Sequence, residues 1–126
     1  MPKEGRNRGQ VTATGQTALG AGDVAIGAGW GTTATKAITT GANDVAGQIV
    51  VTSAGTGQSQ ATATVTVTFT TAYATAPRVA ICTTTNDNSI DTGHVEWTVS
   101  TTALVMTFSV LPVATKIYKL NYLLVA

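Results

Sequence analysis

The sequence predicts an all-β protein: an antiparallel β-sandwich of jelly-roll-like build with an extended N-terminal arm. Three observations carry this. Residues 61–70 read ATATVTVTFT, with threonine at every even position and a small or apolar residue at every odd one, the period of two that a half-buried strand requires. Further short apolar runs follow, separated by Gly, Pro, Asn and Asp, as in sandwiches whose strands are joined by turns. No segment sustains the 3.6-residue apolar period of an amphipathic helix.

Taken in order, residues 1–10 set Lys3, Arg6 and Arg8 against Glu4 with too little apolar content to fold alone, and read as an extended basic arm. Residues 11–41 mix Gly, Ala and Thr, and eight of the thirteen glycines lie at or before Gly31. Glycine costs about 1 kcal/mol against alanine in a helix, so short strands joined by glycine turns are expected, with Val24 and Ile26 facing one side and Trp30 anchoring the end. Such a segment packs on its own domain or reaches a neighbouring subunit. Residues 42–126 form the sandwich module, with strands at 46–53, 61–70, 78–82, 94–100, 103–110 and 116–125. Pro77 marks entry into one strand and Pro112 the end of another, because proline is excluded from central strand positions. Residues 83–93, TTTNDNSIDTG, have loop composition. The expected core comprises Val65, Val67, Phe69, Val79, Ile81, Val95, Trp97, Leu104, Met106, Phe108, Leu120 and Tyr122. Runs around 49–51 and 123–125 are apolar on both faces, which predicts strands covered on both sides, the second cover being another subunit.

A chain of 126 residues is most naturally one domain and can bury a core without metal or disulfide staples. Charged residues are 10% of it and the formal net charge is +1, so electrostatics names no partner for the whole domain. Threonine, roughly a fifth of the chain, stands where Lys and Glu ordinarily cover a surface. The lone Cys82 allows no internal disulfide and no thiolate metal site, and reads as a small buried hydrophobe. No run approaches the ~18 apolar residues of a membrane span, and residues 1–10 lack the apolar segment of a secretory signal. Synthesis in the cytoplasm, with no membrane partner, is the expectation.

Candidate catalytic groups are few. His94 is the only histidine and no G-x-S-x-G elbow accompanies it, so it reads as a strand-edge residue. The GAG triplets at 20–22 and 27–29 lack both the P-loop pattern and a βαβ context. Asn86, Asp87, Asn88 and Asp91 offer oxygens to a hard cation but do not follow the EF-hand order, and a solvated turn without metal is expected. Asp87, Asp91 and Glu96 are the carboxylates from which a glycoside-hydrolase pair would have to be drawn. Six acidic residues in the whole chain make their proximity unremarkable in chemical terms, and a non-enzymatic protein without cofactor is expected. Lys3, Arg6 and Arg8 alone are too small a footprint for nucleic acid. They read as a solubilising tail or as contacts to an acidic patch on a partner protein.

Threonine favours extended backbone, and its hydroxyl pairs across strands without the entropy or repulsion of long charged side chains. Long uncharged strands without lysine are an aggregation hazard if their edges stay open. Coverage in a closed, symmetric oligomer follows from that, and an assembly component rather than a lone enzyme.

Three motifs point the same way. Of a D-x-A-G-x-I-x-V-x-x-G opening, Asp44, Ala46, Gly47, Ile49 and Val51 are present; a V-T-F-x-x-A-Y-x-x-A-P-x-V centre runs from Val67 through Phe69, Ala72, Tyr73, Ala76 and Pro77 to Val79; a final Y-x-x-N-Y falls on Tyr118, Asn121 and Tyr122. Together, over about the last two thirds of the chain, these resemble a module of tailed-bacteriophage virion proteins. The resemblance implies a β-sandwich, often trimeric, found at tail-fibre ends and in other virion appendages. Where that family commonly has an alanine-rich loop after the centre, this chain has TTTNDNSIDTG. A short module preceded by an arm resembles a capsid decoration (cement) or head-fibre protein, which implies a homotrimer on the capsid surface of the virion, bound to the major capsid protein through Lys3, Arg6 and Arg8. The alternative it implies is a receptor-binding tip, with Asn86, Asp87, Asn88 and Asp91 meeting a host surface glycan.

Overall fold

The computed structural model describes residues 17–86 and 94–126. Its strands are β1 (Val24–Ile26), β2 (Thr35–Ile38), β3 (Ala46–Thr52), β4 (Thr64–Thr68), β5 (Val79–Asn86), β6 (Val95–Val99), β7 (Ala103–Phe108) and β8 (Ile117–Val125). They form two four-stranded antiparallel sheets, β1-β4-β7-β6 and β2-β3-β8-β5, packed face to face as a β-sandwich. Helical structure among the described residues is confined to short 3-10 turns. Residues 17–41 give one edge strand to each sheet, β1 against β4 and β2 against β3, so this stretch packs on its own domain.

The alternation in β4 works as its period demands. Val65 and Val67 are fully buried, while Thr64, Thr66 and Thr68 point outward opposite Thr107, Val105 and Ala103 of β7. The strand is shorter than the ten-residue pattern because Gln60–Thr62 turn as a 3-10 segment. That turn lies against the glycine-rich stretch: Ser59 donates its N–H to the Gly29 carbonyl at 3.0 Å. A Cβ on Gly29 would sit 2.1 Å from the Ser59 carbonyl oxygen. Glycine here is a steric requirement of backbone packed on backbone.

Between the sheets, the buried Trp30 ring lies 5.7 Å from Phe108 and 5.3 Å from Tyr118, and these two are 4.9 Å apart. Trp30 Nε1 donates to the Thr64 carbonyl at 2.9 Å, so its one polar atom is satisfied while its area joins the core. Each fully buried large side chain of this kind contributes about 1.5–3 kcal/mol.

Three residues expected in the core are not there. Val79 and Ile81 keep 46% and 49% of their surface exposed, and Trp97 keeps 44%. In β5 the inward set is Ala80, Cys82 and Thr84, because register places Ala80 opposite Leu124 and Cys82 opposite Tyr122. The large inward residues of β8 leave room only for small partners, which turns Val79 and Ile81 out. Trp97 has the inward register, opposite Met106, but β6 is an edge strand and the ring lies at the open margin. Residues 83–86, expected in a loop, are strand instead. Thr83, Thr84, Thr85 and Asn86 continue β5 opposite Asn121, Leu120, Lys119 and Tyr118, since β-branched threonines favour extended backbone beside a partner strand.

Candidate functional site

The connection from β2 to β3 contains two buried polar residues, Asn43 and Asp44. Asn43 folds its own turn: its Oδ1 accepts the N–H groups of Val45 and Ala46 at 2.8 and 3.2 Å, and its Nδ2 donates to the Gly41 carbonyl at 2.9 Å. Asp44 then reaches from the second sheet to the segment leaving β4. Its Oδ1 accepts the Thr70 N–H at 2.7 Å, and its Oδ2 accepts the Thr70 hydroxyl at 2.8 Å and the Thr71 N–H at 3.0 Å. Charge-assisted bonds to a shielded carboxylate are among the stronger ones available.

Two tyrosines complete the cluster. The Tyr73 hydroxyl donates to the Asp44 carbonyl at 2.7 Å, and the Tyr73 ring meets Phe69 edge-on at 4.9 Å. The Tyr122 hydroxyl donates to the Asn43 carbonyl. Burial first, and then the Asp44 charge, push the Tyr73 phenol above its ordinary value; burial does the same more strongly to Tyr122, aided by the charges of Asp44 and Tyr73 and opposed by the Asn43 bond. Both hydroxyls therefore stay protonated donors. At Gly47 a Cβ would lie 2.6 Å from the Ala42 Cβ and 2.7 Å from the Tyr122 hydroxyl. Asp44, Gly47, Phe69, Tyr73 and Tyr122, which the motifs scatter over some eighty positions, thus meet in one place. They form a latch between the sheets.

No family model, curated protein or solved structure matches this chain.

The site residues singled out in the sequence are mostly not among the described residues. Lys3, Arg6, Arg8, Asp87, Asn88 and Asp91 fall outside the described residues, and Asn86 closes the backbone of β5 rather than opening a loop. Two of the described carboxylates have structural partners: Asp44 in the latch, and Asp23, which accepts the Gly20 N–H at 2.8 Å. Glu96 stands exposed on β6 beside a depression of about 560 Å³ that Gln60, Thr107 and Leu111 also line. Among the described residues no three of His, Cys, Asp and Glu come together. Cys82 is half-buried and its thiol is pushed up to about 11 by burial, which keeps it in the unreactive form at neutral pH.

The two-faced runs around 49–51 and 123–125 pointed to the outer face of the second sheet, but sequence reasoning missed how its residues are bonded. An uncharged ladder crosses it: the Thr39 hydroxyl donates to Gln48 Oε1 at 3.2 Å, Gln48 Nε2 to Asn121 Oδ1 at 2.7 Å, and Asn121 Nδ2 to the hydroxyls of Thr83 and Thr85 at 3.3 and 3.0 Å. Beyond the ladder, at the corner of β5 and β8, Val79, Ile81, Leu123 and Val125 face outward in register, with Ala46 beside Leu123. The signal was present in phase: Gln48 and Asn121 are the amide residues of β3 and β8, and paired residues share a face.

Proposed function

We propose that this chain is a virion structural protein of the capsid decoration or head-fibre type, acting by binding without catalysis as a closed homo-oligomer, a trimer. The observation that carries the reading is the surface of the sandwich. Along the outward register positions of both sheets the charged residues are Glu96 and Lys119, and eight large hydrophobics are exposed among the described residues. A monomeric surface ordinarily carries about a quarter or more charged residues; a surface this poor in charge suits contact with other subunits. The threonine faces and the motif resemblance support the same role. In this reading Lys3, Arg6 and Arg8 contact the coat protein, the sandwich faces bury further area, and oligomer valency multiplies contacts that are individually weak.

Immunogold electron microscopy of purified virions with antibody to this chain tests it. Gold over the head is expected; gold confined to the tail end transfers the role to a receptor-binding tip, and absence of gold overturns the virion reading. Deleting residues 1–9 is expected to weaken binding to expanded heads by at least tenfold in a co-sedimentation assay.

A further inference from the structure

We propose that the β5–β8 corner of the second sheet, with Val79, Ile81, Leu123 and Val125 at its centre, is the surface at which the copies of this chain meet, converging around the symmetry axis of the oligomer. The proposal rests on the homo-oligomer in the reading above and assigns the residues that form it.

Four edge strands bound the two sheets, and three of them carry a recognised protection against pairing with another chain. β1 is only three residues long, β2 carries Lys36 and β6 carries Glu96. β5 differs: over eight residues, VAICTTTN, it contains neither charge nor proline. The same strand turns Val79 and Ile81 outward, next to Val125 and Leu123 of β8. A strand without charge or proline and an exposed apolar corner therefore coincide. In a soluble protein that combination calls for a cover.

Composition and area say what covers it. The outward register positions of this sheet are aliphatic, small, hydroxyl or amide side chains, and Lys119 is their one charge. Depletion of charge with a raised apolar share marks homo-oligomer interfaces rather than transient contacts with other proteins. With strands about 4.8 Å apart and outward residues about 6.7 Å apart along each, the whole face spans on the order of 500 Å² of flat sheet. That is below the roughly 800 Å² each partner buries in a standard interface but reaches the roughly 500 Å² per partner at which a specific interface begins, whereas the corner alone falls far short. Contact therefore extends from the corner onto the ladder of Gln48, Asn121 and Thr83, whose amides and hydroxyls are already bonded to one another and enter an interface without an uncompensated charge.

The test is sedimentation velocity on the full chain, comparing wild type with Ile81→Asp and with Leu111→Asp, the latter at an equally exposed apolar residue on the β7–β8 connection. Wild type is expected to sediment as an oligomer, Leu111→Asp as the same oligomer, and Ile81→Asp as a monomer, with association weakened at least a hundredfold. Should Ile81→Asp fail to fold, judged by a red shift of the tryptophan emission as the buried Trp30 meets water, Ile81→Cys combined with Cys82→Ala provides the second readout: mild oxidation is expected to link copies covalently. A monomeric wild type, an oligomer untouched by Ile81→Asp, dissociation by Leu111→Asp instead, or no cross-link through position 81 each overturns the assignment. An oligomer that dissociates as expected yet never labels heads overturns the virion reading alone.

Discussion

The two outer faces of this sandwich are made from the same strand grammar and end in opposite surfaces. On the first sheet, Thr64, Thr66 and Thr68 of β4 stand beside Thr107, Val105 and Ala103 of β7, and Thr98 follows on β6. On the second, the outward positions of β5 and β8 begin with Val79, Ile81, Leu123 and Val125 and turn to amides and hydroxyls only further along. Threonine and valine share a shape and a preference for extended backbone. What separates the faces is one hydroxyl per position. The first face satisfies water; the second is left with an apolar corner that water does not satisfy.

Both faces exist only while the sheets keep one relation, and the latch is where that relation can be broken most completely. Asp44→Ala removes a carboxylate that accepts three bonds from Thr70 and Thr71 and leaves two backbone N–H groups to find other partners. Bonds to a charged group are worth about 1.5–3 kcal/mol each and do not add fully, so a loss of about 3–5 kcal/mol is expected in chemical denaturation. Asp44→Asn keeps one of the two acceptor oxygens and sets an NH2 donor against a backbone N–H in place of the other, so it is expected to lose only somewhat less than Asp44→Ala.

A smaller break acts from the other side of the same cluster. Gly47→Ala puts a methyl group 2.6 Å from the Ala42 Cβ and 2.7 Å from the Tyr122 hydroxyl, and neither neighbour is free to retreat without loosening the Asn43 contact. Overpacking of this kind costs about 1–3 kcal/mol, read as a lower denaturation midpoint with an unchanged slope. Gly22→Ala, where nothing lies within 4 Å of the added carbon, is expected to change little.

Alkaline pH sharpens the comparison further, because ionisation of both latch tyrosines is opposed by burial and by a nearby carboxylate. Their native values lie above the ordinary 10.0. The folded state therefore holds its protons where the unfolded chain has released them. Stability from these groups is complete below about pH 10 and declines as pH rises through the native values. Tyr122→Phe is expected to start lower at neutral pH, by about 1 kcal/mol for the lost bond, and to fall less steeply above pH 10 in thermal melts.

How much of this was legible in the sequence depends on which property carried the information. Strand existence was legible because Val65, Val67, Leu104, Met106 and Phe108 recur with period two and fill the core. The face of β5 was not. Val-Ala-Ile-Cys alternates in size, and local pattern assigns its larger members inward, but the choice belongs to β8, whose Tyr122 and Leu124 already occupy the interior opposite Cys82 and Ala80. Register between strands some forty residues apart overrides alternation within one of them. The latch was visible as motif residues without a visible purpose, since no local pattern says that Asp44 will meet Thr70. Trp30 was read as an anchor, yet its place between Phe108 and Tyr118 depends on glycines that let the chain come within backbone contact of residues 59–63.

The finest test asks whether one hydroxyl per position is what separates the faces. Thr66→Val on the first sheet keeps shape and β-preference and sits between Ala25 and Val105, so folding stability is expected to stay within about 0.5 kcal/mol of wild type. Ile81→Thr on the second sheet exchanges an ethyl branch for a hydroxyl at an exposed position, and its folding stability is expected to stay in the same range. Association is where the two should part: Ile81→Thr is expected to weaken it about tenfold, close to 1.4 kcal/mol, while Thr66→Val leaves it unchanged. Equal shifts from both substitutions would mean that the faces differ in general polarity alone; a shift from Ile81→Thr only would tie the second face to a partner that reads a particular side chain.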